Sequence, residues 1–120
     1  MFEEKYFKWR KMNVSRLISY GFEKQGDGYQ YRKPVMNGQF LLYVFITDHG
    51  VVSTQMIDCA TKEEYVLYKV PSSAGAFVGE VRAACGQVLA EISEKCFEPD
   101  VFHNQQTLAV IQYVRETYGD

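Results

Sequence analysis

A chain of 120 residues with 47% hydrophobic and 23% charged residues has the size and mixture of one globular domain. Thirteen Lys+Arg against 15 Asp+Glu leave a net charge of -2, so no global field attracts nucleic acid or anionic lipid. A core of this size needs no metal or disulfide staple. The longest apolar run, Phe40 to Ile46, falls far short of the roughly 20 residues of a membrane span, and the N-terminus lacks an apolar signal segment. The chain is therefore read as cytoplasmic, without a membrane partner.

The first twelve residues mix Glu3 and Glu4 with Lys5, Lys8, Arg10 and Lys11 around Tyr6, Phe7 and Trp9, without a helical or strand period. They read as a loosely specified lead-in. Asn13 can cap a short helix that Gly21 stops, with Val14, Leu17 and Ile18 as its buried stripe. Phe22 to Val35 reads as a hairpin turning at Gly26-Asp27-Gly28, and because Pro34 cannot donate to a ladder this strand ends there or lies at an edge. Asn37-Gly38 launches Gln39 to Thr47, a strand apolar on both faces and so expected to be central and covered on both sides. Strands from Val51 to Asp58 and from Glu64 to Val70 follow, completing an antiparallel meander of four or five strands.

After Pro71 the period changes. Ser72 or Ser73 can cap a helix from about Ala74 to Cys96 with Phe77, Val81, Val88 and Ile92 along one apolar face. A second stripe holds only small residues, Gly75, Gly79, Ala83, Gly86 and Ala90. Each glycine costs about 1 kcal/mol in a helix, so close packing or a ligand must offset them. His103 or Asn104 to Tyr118 forms a last helix with Leu108, Ile111, Val114 and Tyr118 inward. The fold class is α+β: a meander with a short N-terminal helix and two C-terminal helices packed on it.

No hydrolase elbow, zinc-protease, phosphate-loop or dinucleotide motif is present, and spacing removes most improvised sites. Cys85 and Cys96 lie about 16 Å apart on one helix, and His49 and Cys59 about 30 Å apart along a strand. Neither pair can bridge, share a zinc ion or act as nucleophile and base. Cys96 and His103 alone make a poor metal site, so no metal, cofactor or catalytic residue is assigned. Asp58 and His49 read as turn residues, and Glu80, Glu91 and Glu94 as a solvated helix face. Two binding alternatives remain. An anion or small ligand could sit at the helix start, over Ser72, Ser73, Gly75 and Gly79 with Arg82 beside them. A nucleic acid or acidic partner could meet Lys5, Lys8, Trp9, Arg10 and Lys11, because residues 1–12 carry four positive and two negative charges and the rest carry nine and thirteen. Packing of Phe7 and Trp9 onto the sheet explains the same segment without a partner, and so small a patch is not expected to hold duplex DNA by itself.

The strings Gly75-Ala-Phe-Val-Gly-Glu-Val-Arg82, Glu63-Glu-Tyr-Val66, Glu94-Lys-Cys-Phe97 and Tyr113-Val-Arg-Glu-Thr-Tyr-Gly-Asp120, with the opening Met1-Phe-Glu-Glu-Lys-Tyr-Phe7, span nearly the whole chain. Together they resemble the N-terminal region of long bacterial MmcQ/YjbR-family proteins. In those proteins a second domain of frataxin-like fold, which carries a DNA-binding label, follows a Tyr-Gly-Asp sequence. The resemblance implies that this chain is the N-terminal part of a two-domain protein, with no catalytic residue and no DNA contact carried onto it. The expected function is a non-enzymatic accessory or interaction module, partnered by such a second domain or by another copy of itself.

Overall fold

The computed structural model describes residues 2–100. The chain opens with a 3-10 turn at Glu4–Tyr6, followed by β1 (Arg10–Met12) and α1 (Val14–Tyr20). Four strands come next: β2 (Glu23–Gln25), β3 (Gly28–Val35), β4 (Phe40–Thr47) and β5 (Val52–Asp58). A second 3-10 turn at Leu67–Lys69 leads to α2 (Ala76–Cys96) and β6 (Phe97–Pro99).

β2 to β5 form the expected antiparallel meander in the order β2-β3-β4-β5. The fifth strand expected from Glu64 to Val70 does not form. Only Glu64 bridges to Ile57, and the chain then tightens into the 3-10 turn that buries Tyr68. Tyr68 donates or accepts a hydrogen bond with Thr54 of the edge strand, which uses the side chain where a ladder would have used the backbone. Pro34 pairs with Leu41 beyond the reach of β2, which ends opposite Gln30, so a residue without an amide hydrogen sits where β3 has no outer neighbour.

Asn13 caps α1 as its sequence position suggests, accepting from the Arg16 amide at 3.1 Å, and Gly21 ends the helix at φ 130°, a conformation open to glycine. Only Leu17 of the expected stripe is buried; Val14 and Ile18 are exposed. A helix of seven residues resting against α2 has room to bury a single line of contact.

Register sorts the sheet into two faces. Tyr29, Tyr31, Lys33 and Val35 of β3 align with Ile46, Val44, Leu42 and Phe40 of β4, which align in turn with Val52, Thr54, Met56 and Asp58 of β5. This is the core face. Against it α2 buries Val81, Cys85, Val88, Leu89, Ile92 and Cys96. Each buried aliphatic side chain contributes about 1.5–3 kcal/mol of transfer free energy, so α2 is the principal fastener of the sheet. Phe77, expected on the same face, stays 43% exposed beside Tyr65 and Phe40.

The lead-in is ordered, contrary to expectation. β1 pairs antiparallel with β6, Met12 opposite Phe97 and Lys11 opposite Glu98, and the Asn13 amide donates to the Cys96 carbonyl. Phe7 packs on Phe97 with ring centroids 4.7 Å apart. This two-stranded sheet ties the start of the chain to the end of α2. The helix expected from residue 103 or 104 to 118 lies outside the described residues. Among the described residues no helix is long and apolar enough to cross a membrane.

Candidate functional site

The helix-start reading meets a different geometry. α2 begins at Ala76 with Gly75 as its N-cap, and neither Ser72 nor Ser73 makes a side-chain capping bond. Arg82 donates through Nε to the Tyr68 carbonyl at 3.0 Å and through Nη2 to the carbonyls of Val70 and Ser73. Its guanidinium straps the 66–75 loop to the helix and leaves little for an anion. The small-residue stripe is mostly a solvent face: Gly75, Gly79, Ala83 and Ala90 are exposed, and a Cβ built on Gly75 or Gly79 would meet nothing within 4 Å. Among the described residues close packing is found only at Gly86, which is buried under the Tyr6 ring. The proximity of Gly75 and Gly79 to the sheet is thus corrected: they line no floor.

The basic segment is split. Arg10 donates from Nε to the Ser93 carbonyl at 3.1 Å and from Nη2 to the Phe97 carbonyl at 3.0 Å, so its charge sits on the carbonyl end of α2, where a cation is favoured. Lys5 lies over the rings of Phe2 and Tyr6, and Lys8 over that of Trp9. Lys11 is exposed on β1. Trp9 does not pack onto the sheet; it is 53% exposed with φ 62°.

A buried polar cluster that the sequence did not announce lies at the free edge of β5. The Glu3 side chain, 3% exposed, accepts from the Thr54 amide and hydroxyl at 2.9 Å each and pairs with Lys69 at 3.0 Å. Lys69 also donates to the Thr54 carbonyl, and Thr54 shares a hydrogen bond with Tyr68. Burial pushes the Glu3 carboxyl up, but hydrogen bonds from Lys69, its own amide and Thr54, with the Lys69 charge, outweigh it and hold it below the usual range. Burial pushes the neighbouring Cys85 thiol up to about 12 and Cys96 up to about 11. A thiol held protonated is a poor nucleophile. The three cysteines are free, and among the described residues no group of His, Cys, Asp and Glu could hold a metal ion. No buried side-chain polar atom among them lacks a partner, so none aims at an absent ligand. The cluster is a latch that closes the edge strand.

Asp58 accepts from the amides of Ala60 and Thr61, and the Thr47 hydroxyl accepts from those of His49 and Val51. Asp58 thus serves its turn, and the Asp48-His49-Gly50 turn is held from Thr47.

The remaining feature is the other face of the sheet. Leu41, Tyr43 and Phe45 of β4 and Ile57 of β5 point away from the core face and take no part in the core cluster. Tyr43 and Phe45 stack on each other, centroids 6.1 Å apart and planes 6° from parallel. The residues aligned beside them are Gln30, Arg32 and Pro34 on β3 and Ser53 and Gln55 on β5, with Glu23 outside Gln30 on β2. Among the described residues both helices pack on the opposite face. The sequence signal was present, since β4 is apolar on both faces and was expected to be covered on both sides. An open groove of about 620 Å³ continues this face past Phe45, between Gly28, Thr47 and Asp48.

Comparison with family models, with curated proteins and with solved structures finds no match to this chain.

Proposed function

We propose that the chain is a non-enzymatic interaction module whose working surface is the outer face of its sheet. The observation that carries this reading is the apolar ridge Leu41-Tyr43-Phe45 with Ile57, half-buried and, among the described residues, outside the core cluster. A flat ridge rimmed by Gln30, Ser53 and Gln55 suits a protein surface; a small ligand would need a concave pocket with convergent polar groups. The protonated thiols and the fully partnered Glu3 cluster give no support to an enzyme. Nor does the occupied Arg82 guanidinium support the anion-binding alternative. The resemblance to the N-terminal region of MmcQ/YjbR-family proteins points the same way, because such a region has a second domain to meet.

The test is a double substitution, Tyr43→Lys with Phe45→Lys. On an open face it should leave the melting temperature within a few degrees, on the scale of about 0.5 kcal/mol for surface changes, and abolish binding of an apolar fluorescent dye to the native protein. Global unfolding of the variant would show that the ridge belongs to the protein's own core and would overturn the reading.

A further inference from the structure

We infer that the outer face receives a second copy of this chain, packed face to face about a two-fold axis; this rests on the partner-surface reading above and names the partner. The charges on the face are arranged to complement themselves. Register places Glu23 in one cross-strand row with Gln30, Phe45 and Ser53, and Arg32 in the next row with Tyr43 and Gln55. Both charged residues are exposed, and neither forms an ion pair among the described residues. They lie on the same side of the aromatic ridge and one row apart. A two-fold axis across the strands, midway between those rows, lays Tyr43 of one copy over Phe45 of the other. The same axis brings Arg32 beside the partner copy's Glu23, one strand spacing of about 4.8 Å to the side, across sheets about 10 Å apart. Two such pairs form, one on each side of the axis, and Ser53 meets Gln55 at the opposite rim. A symmetric interface needs one patch complementary to itself, and this patch meets that condition.

Size sets the strength. Four strands at about 4.8 Å spacing and seven residues at about 3.3 Å give a face on the order of 400–450 Å² in plan, well under the roughly 800 Å² per partner of a standard stable interface. The dimer is therefore weak and reversible, with a dissociation constant on the order of 10–100 µM.

Sedimentation equilibrium of the full chain between about 5 and 500 µM measures this directly. The expected result is a monomer–dimer equilibrium that Arg32→Glu or Glu23→Arg weakens at least about tenfold, since each puts like charges together, and that the double exchange restores to within about threefold. A chain that stays monomeric throughout overturns the inference, as does a dimer indifferent to the single reversals. Melting of Tyr43→Lys then separates this failure from that of the surface reading. With a monomer and an unchanged melting temperature, the face is open to a different partner and only the two-copy inference falls. With a monomer and a fall of more than about 10 °C, the face is internally covered and both fall.

Discussion

Truncating Glu3 to alanine removes the group on which the edge latch converges. The loss can be worked from its partners. The Thr54 amide donates to Glu3 at 2.9 Å and has no second acceptor in the described structure, so stranding it in a site where Thr54 is 4% exposed costs about 1–3 kcal/mol. The Thr54 hydroxyl keeps Tyr68, and Lys69, one-third exposed, keeps the Thr54 carbonyl and water, so the lost ion pair adds only about 0–1 kcal/mol. Together these give about 1–4 kcal/mol. For a chain of this length the melting temperature should fall by roughly 4–16 °C. Glu3→Gln retains one acceptor and should lose about half as much, whereas Glu94→Ala on the exposed side of α2 should change stability by less than about 0.5 kcal/mol. Denaturant melts give the free energies. Amide hydrogen exchange gives the location, because Thr54 should be protected in the parent chain and exchange quickly in Glu3→Ala. A loss below about 0.5 kcal/mol, with Thr54 still protected, would refute the assignment of Glu3 as the anchor of the edge.

The Glu3 carboxyl is held below its ordinary 4.5, so its contribution is present above that pH and is lost as pH falls through the folded value; acid melts of Glu3→Gln should lack this component. Cys85 and Cys96 are raised from 9.0 to about 12 and about 11, so stability should decline as pH rises from about 9 through those values, and Cys85→Ala should flatten part of that decline in alkaline melts. Gly79→Ala should stabilise by about 0.5–1 kcal/mol because its Cβ enters open space; Gly86→Ala, which must displace Tyr6, should forfeit that gain, and thermal melts of the pair measure the difference. Arg10→Met should cost about 1–2 kcal/mol by freeing two carbonyls at the end of α2, whereas Lys8→Met should be near neutral in the same denaturant titration.

Local signals carried the meander, the Asn13 cap, the Gly21 stop and the body of α2, because turn chemistry and hydrophobic period act between neighbours in the chain. They also placed the apolar residues of β4 on both faces. What they could not say was which face the domain itself would cover. That is decided by where the helices pack, and among the described residues both settle on the face of Phe40, Leu42, Val44 and Ile46. The pairing of β1 with β6 joins residues more than eighty positions apart, so no window along the chain could show that the lead-in is a strand. Glu3 looks like any solvated N-terminal acid until Thr54 and Lys69 arrive around it. Arg82 and Arg10 look like free cations until backbone carbonyls take up their donors. Sequence pattern records which side chains prefer to leave water, and it does so locally. Only the tertiary structure decides which polar groups are taken out of water with them, because a buried charge is tolerable only where distant partners converge on it.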